Sequence, residues 1–402
     1  MSTQDLSSGG SGAAARRISL IGFTLALGFV IVLAGAWLAG TWLLDAYGRP
    51  IANDFVNVWA AGQLALDGNA AAAYDWSLHK AAEVTAVGHD FENYYGWHYP
   101  PTFFFVAATL ALLPYSTAAV VWLGATLPAY VAAVRHIVGE RAGIFIALGS
   151  PAVLWNASAG QNGYFTAALM GGALGLMQRR PWIAGLCLGL LSYKPHLGLL
   201  FPLALIAGSR WRVFFSAALV TTALAASSWL VFGEASWSAF VEWIPTTSHV
   251  VLGQGGADFS RLQSLFGLVR MLGGSELLAW QLQGGCAGLL ALTVMLLWHS
   301  GIAFELKAAA LSCAALLATP YLYIYDLVAL TIPVAFLLRF AFARGLLPSE
   351  AAGLSAAVAL LLSHPYAQAQ VGVAATVIVA MLIVQRIALA RRGENTAPLT
   401  AT

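Results

Sequence analysis

The sequence predicts an all-α protein that crosses a lipid bilayer about twelve times, and three observations lead there. Of its 402 residues, 60% are hydrophobic and only 9% are charged, against about 25% charged in a soluble domain. The mean hydropathy is +0.78. Residues 18–44 form one apolar run, longer than the ~20 residues that span a bilayer, and further runs follow along the chain. The net charge is +2, with neither a basic run nor a nucleic-acid motif, so no nucleic-acid partner is expected.

Residues 1–15, rich in Ser, Gly and Ala, read as a disordered tail, as do residues 393–402. Between them lies a single transmembrane domain, 16–392. Arg16-Arg17 precede the first run, which is too long for the apolar region of a cleaved signal peptide and so reads as a retained helix. The positive-inside rule puts these arginines in the cytoplasm and residues 45–100 outside.

Candidate spans follow at 102–113, 117–134, 141–157, 161–177, 182–193, 195–208, 212–232, 277–298, 305–318, 326–342, 351–362 and 369–389. Several are short, and Pro114, Pro151, Gly160 and Pro195 break them. Broken helices persist at membrane depth only where protein or a cavity surrounds them. Arg179-Arg180, Arg210, Arg212, Arg339, Arg344, Arg386 and Arg391-Arg392 are expected in the cytoplasm. From residue 180 the alternation is consistent. It puts Lys194-Pro195 at an outer hairpin tip, 233–276 in a second long outer loop, and 319–325 and 363–368 in outer turns. Between 114 and 180 it fails by one, so one run there is split, re-entrant or fused. Both termini are then cytoplasmic, in the inner (plasma) membrane. Cys187, Cys286 and Cys313 lie inside apolar runs without metal spacing and read as small core hydrophobes.

The long polar stretches 53–101 and 233–276 fall on one face, with the tips that carry Gln161-Asn162, Lys194 and Tyr325-Asp326. Asp54 lies ten residues past the first run, which places a carboxylate near the membrane surface. It reads either as part of an interfacial active site or as a helix cap. Trp59, Tyr74, Trp76, Tyr94, Tyr95, Trp97, Tyr99, Trp237 and Trp243 crowd the same segments. An interfacial aromatic belt explains such residues, and so does stacking on sugar rings. No two-halves repeat is visible.

Asp54-Phe55, Gly68 and Tyr74-Asp75 resemble the first loop of glycosyltransferase family 87, polyprenyl-phosphate-sugar-dependent membrane enzymes of the GT-C superfamily. Tyr99-Pro100-Pro101, Gly160-Gln161-Asn162, Ala184-Gly185 with Lys194-Pro195, and Thr319-Pro320-Tyr321 with Tyr325-Asp326 resemble its later motifs, in order. The loop 233–276 has no counterpart. The resemblance implies a GT-C-type fold and an extracytoplasmic active site. It also implies a hexosyl or pentosyl donor on polyprenyl phosphate, a lipid or glycan acceptor, and inversion of configuration. Mannose and arabinose donors both occur among relatives, and no residue here separates them.

Such a transfer needs a base for the acceptor hydroxyl and positive charge for the departing phosphate. Asp54 is the candidate base; Asp75, Asp90 and Glu92 lie farther out and read as solvated. Lys194, His98 and Arg261 are candidates for the donor phosphate. Gln161, Asn162, His196, Gln263, Tyr321 and Asp326 are candidates for substrate contacts. Plainer readings stand beside these: Lys194 snorkelling to headgroups, His98 as an interfacial histidine, Arg261 as an exposed arginine, and Gln161-Asn162 and Asp326 as helix caps. The mechanism expects Asp54 ionised with an ordinary pKa of about 3.9, and Lys194 across the sugar from it rather than paired with it. The first loop has no Asp-x-Asp pair, so no cofactor and no nucleotide-sugar-type metal site are expected, although some GT-C relatives bind a divalent ion. The alternative classes are a transporter or flippase for a lipid-linked or small polar substrate, and a non-catalytic scaffold.

Overall fold

The computed structural model describes residues 3–254, 258–367 and 369–393, with side chains from residue 12 onward. Helix α1 (Thr3–Leu38) begins inside the stretch expected to be a disordered tail. Of the tail expected at 393–402, all but Gly393 lies outside the described residues. Leu20, Ile21, Val30 and Ile31 of α1 are exposed, as suits a helix whose outer surface meets lipid. A two-residue antiparallel hairpin, Thr41–Trp42 on Leu44–Asp45, follows. The Trp42 indole N–H donates to the Ala157 carbonyl at 3.2 Å and pins the end of α1 to α7.

The polar stretch after α1 is itself folded. It holds α2 (Phe55–Leu66) and α3 (Trp76–Val87), joined through a 3-10 turn at Ala70–Tyr74. Asp75 caps α3 by accepting from the Ser77 and Leu78 amides. Helix α2 is apolar and buries Phe55, Val56, Val58 and Ala61. Against it lies α4 (Phe104–Ala111). A Cβ on Gly62 would sit 2.1 Å from the Ala107 carbonyl oxygen, so only glycine permits this approach. Eight residues rise ~12 Å, far less than the ~30 Å hydrocarbon core, so the run expected to cross at 102–113 is too short to do so.

Next come α5 (Tyr115–Val138) and the pair α6 (Ala142–Leu148) and α7 (Pro151–Ala159), bent by 51°. Then follow α8 (Gly163–Leu176), α9 (Pro181–Leu190), α10 (Pro195–Gly198) and α11 (Phe201–Ala207). Proline at the first position of α7, α9 and α10 sets the helical φ where no amide partner is needed. Helix α12 runs Trp211–Ser248 with a break at Gly233 (φ 80°, ψ 162°). Residues 234–248, expected as loop, are therefore helical. Phe240 and Trp243 on this arm pack against Tyr74 and Trp76 of the first outer segment, and that packing stabilises the arm.

The chain closes with α13 (Leu265–Met271), α14 (Glu276–His299), α15 (Phe304–Ala318), α16 (Thr331–Arg344), α17 (Pro348–Ala367) and α18 (Val371–Arg391). A 3-10 segment, Ile324–Leu330, leads into α16. By length and composition, six helical stretches among the described residues can cross a membrane, or seven if α6 and α7 make one bent span. The twelve expected from the sequence included runs that form shorter apolar helices, among them Gly163–Leu176, Pro181–Tyr193 and Pro195–Ala207. The largest core gathers α5, α8, α15, α16 and α18. A second joins the outer segment to α5 and α9 through Phe55, Trp97, Phe103, Phe104 and Tyr193.

Candidate active site

Asp54 stands at the start of α2, yet its side chain makes no cap bond. Its neighbour takes that role: the Asn53 Oδ1 accepts the Phe55 amide at 3.0 Å, and the Tyr115 hydroxyl holds Asn53 from the other side at 3.1 Å. Asp54 is left to face Gln161, whose Nε2 donates to its Oδ2 at 3.1 Å. Two glycines let the Gln161 loop come this close. Gly160 ends α7 at φ +69°, and a Cβ there would meet Asn53 Oδ1 and Phe55 Cβ at 2.9 Å. At Gly163 a Cβ would fall 2.3 Å from the Tyr325 carbonyl oxygen. The Gly-Gln-Asn-Gly run thus packs between the start of α2 and the turn before α16.

Tyr99 fixes which way the Gln161 amide points. Its hydroxyl accepts from Asn162 Nδ2 at 2.7 Å and faces Gln161 Oε1 at 3.5 Å, and the Asn162 amide donates to the same oxygen at 3.2 Å. With Oε1 so engaged, the NH2 group turns to Asp54. Tyr74 in turn donates to the Tyr99 carbonyl at 2.8 Å. Gln161 and Asn162 are both buried.

Lys194, expected as a free cation at a hairpin tip, is instead buried and paired. Its Nζ lies 2.6 Å from Asp326 Oδ1, with both side chains almost fully enclosed. Asp326 also caps its own turn, accepting the Tyr323 amide through Oδ2 at 3.2 Å. Arg261 is the contrast. It is exposed, and its side chain makes no hydrogen bond or ion pair among the described residues.

Electrostatics tie these groups together. Burial pushes the Asp54 carboxyl above the usual carboxylate range; the Gln161 hydrogen bond and then Arg261 oppose it, Asp326 adds to it, and Lys194 opposes it. The ordinary acidity expected from the sequence is therefore corrected upward, because Asp54 is half-buried among protein groups. Arg261 acts on Asp54 more strongly than Lys194 does.

The remaining candidates divide. His98 lies against the α12 arm, its Nδ1 3.0 Å from Thr247 Oγ1 and 3.4 Å from the Trp243 indole nitrogen. His196 and Tyr321 face each other with ring centroids 6.0 Å apart. Gln263 is not available to a substrate in this arrangement. Its Nε2 donates to the Ser260 carbonyl at 2.6 Å and its Oε1 accepts the Gly372 amide at 2.7 Å. It clamps the outer segment onto α18. Asp75 serves α3 as a cap, and Asp90 and Glu92 are exposed. Among the described residues no three His, Cys, Asp or Glu gather as a metal-holding group.

Sequence reasoning missed the phenols. Tyr99, Tyr193, Tyr323 and Tyr325 all adjoin the Asp326 carboxylate electrostatically. Tyr323 and Tyr325 stack at 5.4 Å, and Tyr99 stacks on Tyr193 at 6.1 Å. Of the four, Tyr99 was read as part of an interfacial belt or a sugar-stacking surface and Tyr325 was named only beside Asp326, while Tyr193 and Tyr323, each within three residues of a named candidate, were not singled out.

No curated protein and no solved structure matches the chain. The model of glycosyltransferase family 87 matches residues 97–320. That range carries Tyr99, Gln161, Asn162, Lys194 and Arg261, while Asp54 and Asp326 lie outside it and are bonded to it through Gln161 and Lys194. The match covers more than half of the 402 residues, and the chain belongs to glycosyltransferase family 87, a family of membrane glycosyltransferases.

Proposed function

We propose that the protein transfers a hexosyl or pentosyl group from a polyprenyl-phosphate-linked donor to a hydroxyl of a lipid or glycan acceptor, with inversion, on the extracytoplasmic face. The observation that carries this reading is Asp54. It is a carboxylate free of any capping duty, oriented by Gln161, with an unpaired Arg261 in electrostatic reach. In the transfer, the acceptor oxygen attacks the anomeric carbon and Asp54 takes its proton. The bond from that carbon to the phosphate oxygen breaks, and the polyprenyl phosphate leaves with the electron pair. Arg261 faces the charge that develops there, and His98 remains a further candidate donor to it.

The raised pKa of Asp54 suits a general base, which works best when its pKa approaches the operating pH. The second nearby carboxylate, Asp326, is held by Lys194 and the Tyr323 amide. One available carboxylate fits a single displacement, whereas a double displacement needs a separate nucleophile. Lys194 serves this reading by anchoring Asp326 and the phenols around it. Gln161, Asn162, His196 and Tyr321 line the substrate path. The same reading places the protein in the inner membrane as a GT-C-type fold with about twelve crossings and both termini cytoplasmic. The arginine alternation, with α4 removed from the crossings, supports that topology.

The test is turnover. Purified protein in proteoliposomes, given a synthetic polyprenyl-phosphate sugar and membrane glycolipid acceptors, is expected to release polyprenyl phosphate and yield a glycoside whose anomeric signal is inverted. Movement of intact donor across the vesicle without any transfer would contradict it.

A further inference from the structure

Far from Asp54, at the opposite end of α5 and α8, the structure has an open hollow of about 670 Å³. Its wall carries Arg135 and His136 from the last turn of α5, Arg141 from the next turn, and Arg179 just past α8. Glu305 of α15 and Arg339 of α16 complete it. Arg339 is engaged: its Nε lies 3.5 Å from Glu305 Oε1, and its Nη1 donates to the Ile137 carbonyl at 3.0 Å. His136 Nε2 sits 3.3 Å from the Gly175 carbonyl. The side chains of Arg135, Arg141 and Arg179 are exposed and make no hydrogen bond or ion pair among the described residues, and Glu140 is the remaining carboxylate on the wall.

The positive-inside rule explains arginines on this face, but it does not require them to converge on one hollow. The C-terminal dipoles of α5 and α8 supply about half a negative charge each, which leaves the hollow cationic. Guanidinium groups bind phosphate oxygens through paired N–H donors, and basic pockets between transmembrane helices hold lipid phosphates. The volume lies within the ~300–1,000 Å³ of ligand pockets and exceeds what one inorganic phosphate fills.

We propose that this cavity is a binding site for a phosphate-bearing anion larger than a single phosphate, either the headgroup of an anionic phospholipid or a soluble diphosphate compound. The site is separate from the Asp54 cluster, so the proposal stands or falls independently of the transfer reaction. The test uses the full-length protein in nanodiscs of zwitterionic lipid. One arm titrates a doubly anionic phospholipid and the other titrates inorganic pyrophosphate, each read as a saturable rise in the thermal midpoint. The arm that saturates identifies the source of the phosphate. Arg135→Gln with Arg179→Gln is expected to weaken that binding at least about tenfold. Arg212→Gln, an exposed arginine outside the cavity wall, is expected to leave it unchanged. Should the double variant fail to fold, Arg141→Gln is read by the same titration, with the same direction expected. Saturation in neither arm overturns the proposal. So does an Arg212→Gln effect equal to that of the cavity variants, which would mean diffuse surface charge.

Discussion

Gln161 donates its side-chain amide to the Asp54 carboxylate at 3.1 Å, joining two positions 107 residues apart in the chain. The bond bears on the capping reading that each residue carried. Asp54 is not a cap, because Asn53 caps α2 in its place. Gln161 is not a cap either, because its oxygen is held by Tyr99 and the Asn162 amide while its nitrogen reaches the carboxylate.

The bond also has a pH signature. A donor to a carboxylate favours the charged form and holds its pKa down, and Gln161 is the first group that opposes the effect of burial at Asp54. In Gln161→Leu the Asp54 pKa rises further. A base must be deprotonated to act, so the acidic limb of the kcat/KM profile is expected to move to higher pH. An unmoved limb would separate Gln161 from the catalytic base.

Arg261 and Lys194 should respond differently to removal. Arg261→Gln takes away an exposed, unpaired cation, so stability should hold within about 0.5 kcal/mol while KM for the donor rises about tenfold. Lys194→Met strands a buried Asp326, which costs about 3–5 kcal/mol. The double change Lys194→Met with Asp326→Leu should recover most of that loss. Thermal midpoints of the three variants, beside donor titrations, check this. A stable Lys194→Met protein would contradict the buried pair.

The membrane class and many of the helical stretches were legible in the sequence, because apolar runs are local signals. The partners were not. Nothing local to Lys194 reveals that Asp326 neutralises it, since the two meet only when the turn between α9 and α10 approaches the 3-10 segment before α16. Residues 234–248 read as loop because their polarity is high, but Phe240 and Trp243 give that arm a surface to pack on. The run at 102–113 read as a span by composition alone. Only Gly62, two segments earlier, shows that it lies on α2. The upward shift at Asp54 was invisible for the same reason: burial is a property of the assembled fold.

A second pH effect lies in the outer segment. Burial raises Glu83 to about 8, with Lys80 and the Tyr95 amide opposing. A carboxyl whose folded pKa lies above its unfolded value of 4.5 keeps its proton when the unfolded chain has lost it. Its stabilisation is complete below 4.5 and is lost as pH rises through about 8. Neighbouring His79, lowered to about 3 by burial, adds a dependence below 6.5 that is common to native protein and variant. Glu83→Gln is therefore expected to gain thermal stability over the native protein as pH is raised from 5 to 8.5. A constant difference across that window would remove Glu83 from the account.

Sidedness can be read chemically. Glu92 and Ala343 are both exposed, at positions assigned to opposite faces. In a background without Cys187, Cys286 and Cys313, Glu92→Cys should react with an impermeant thiol reagent in intact cells. Ala343→Cys should react only after lysis. The reverse pattern would invert the topology.

The most direct test of the central claim is Asp54→Asn. The change keeps the size of the side chain and an oxygen that can accept from Gln161, and it removes the basicity. Because burial disfavours the charged carboxylate, the variant should fold at least as stably as the native protein. Positioned general-base catalysis contributes typically 10²–10⁴-fold, so turnover with a synthetic polyprenyl-phosphate sugar is expected to fall at least about a hundredfold, with donor binding nearly intact. A well-folded Asp54→Asn protein with near-native turnover would contradict the assignment of Asp54 as the base.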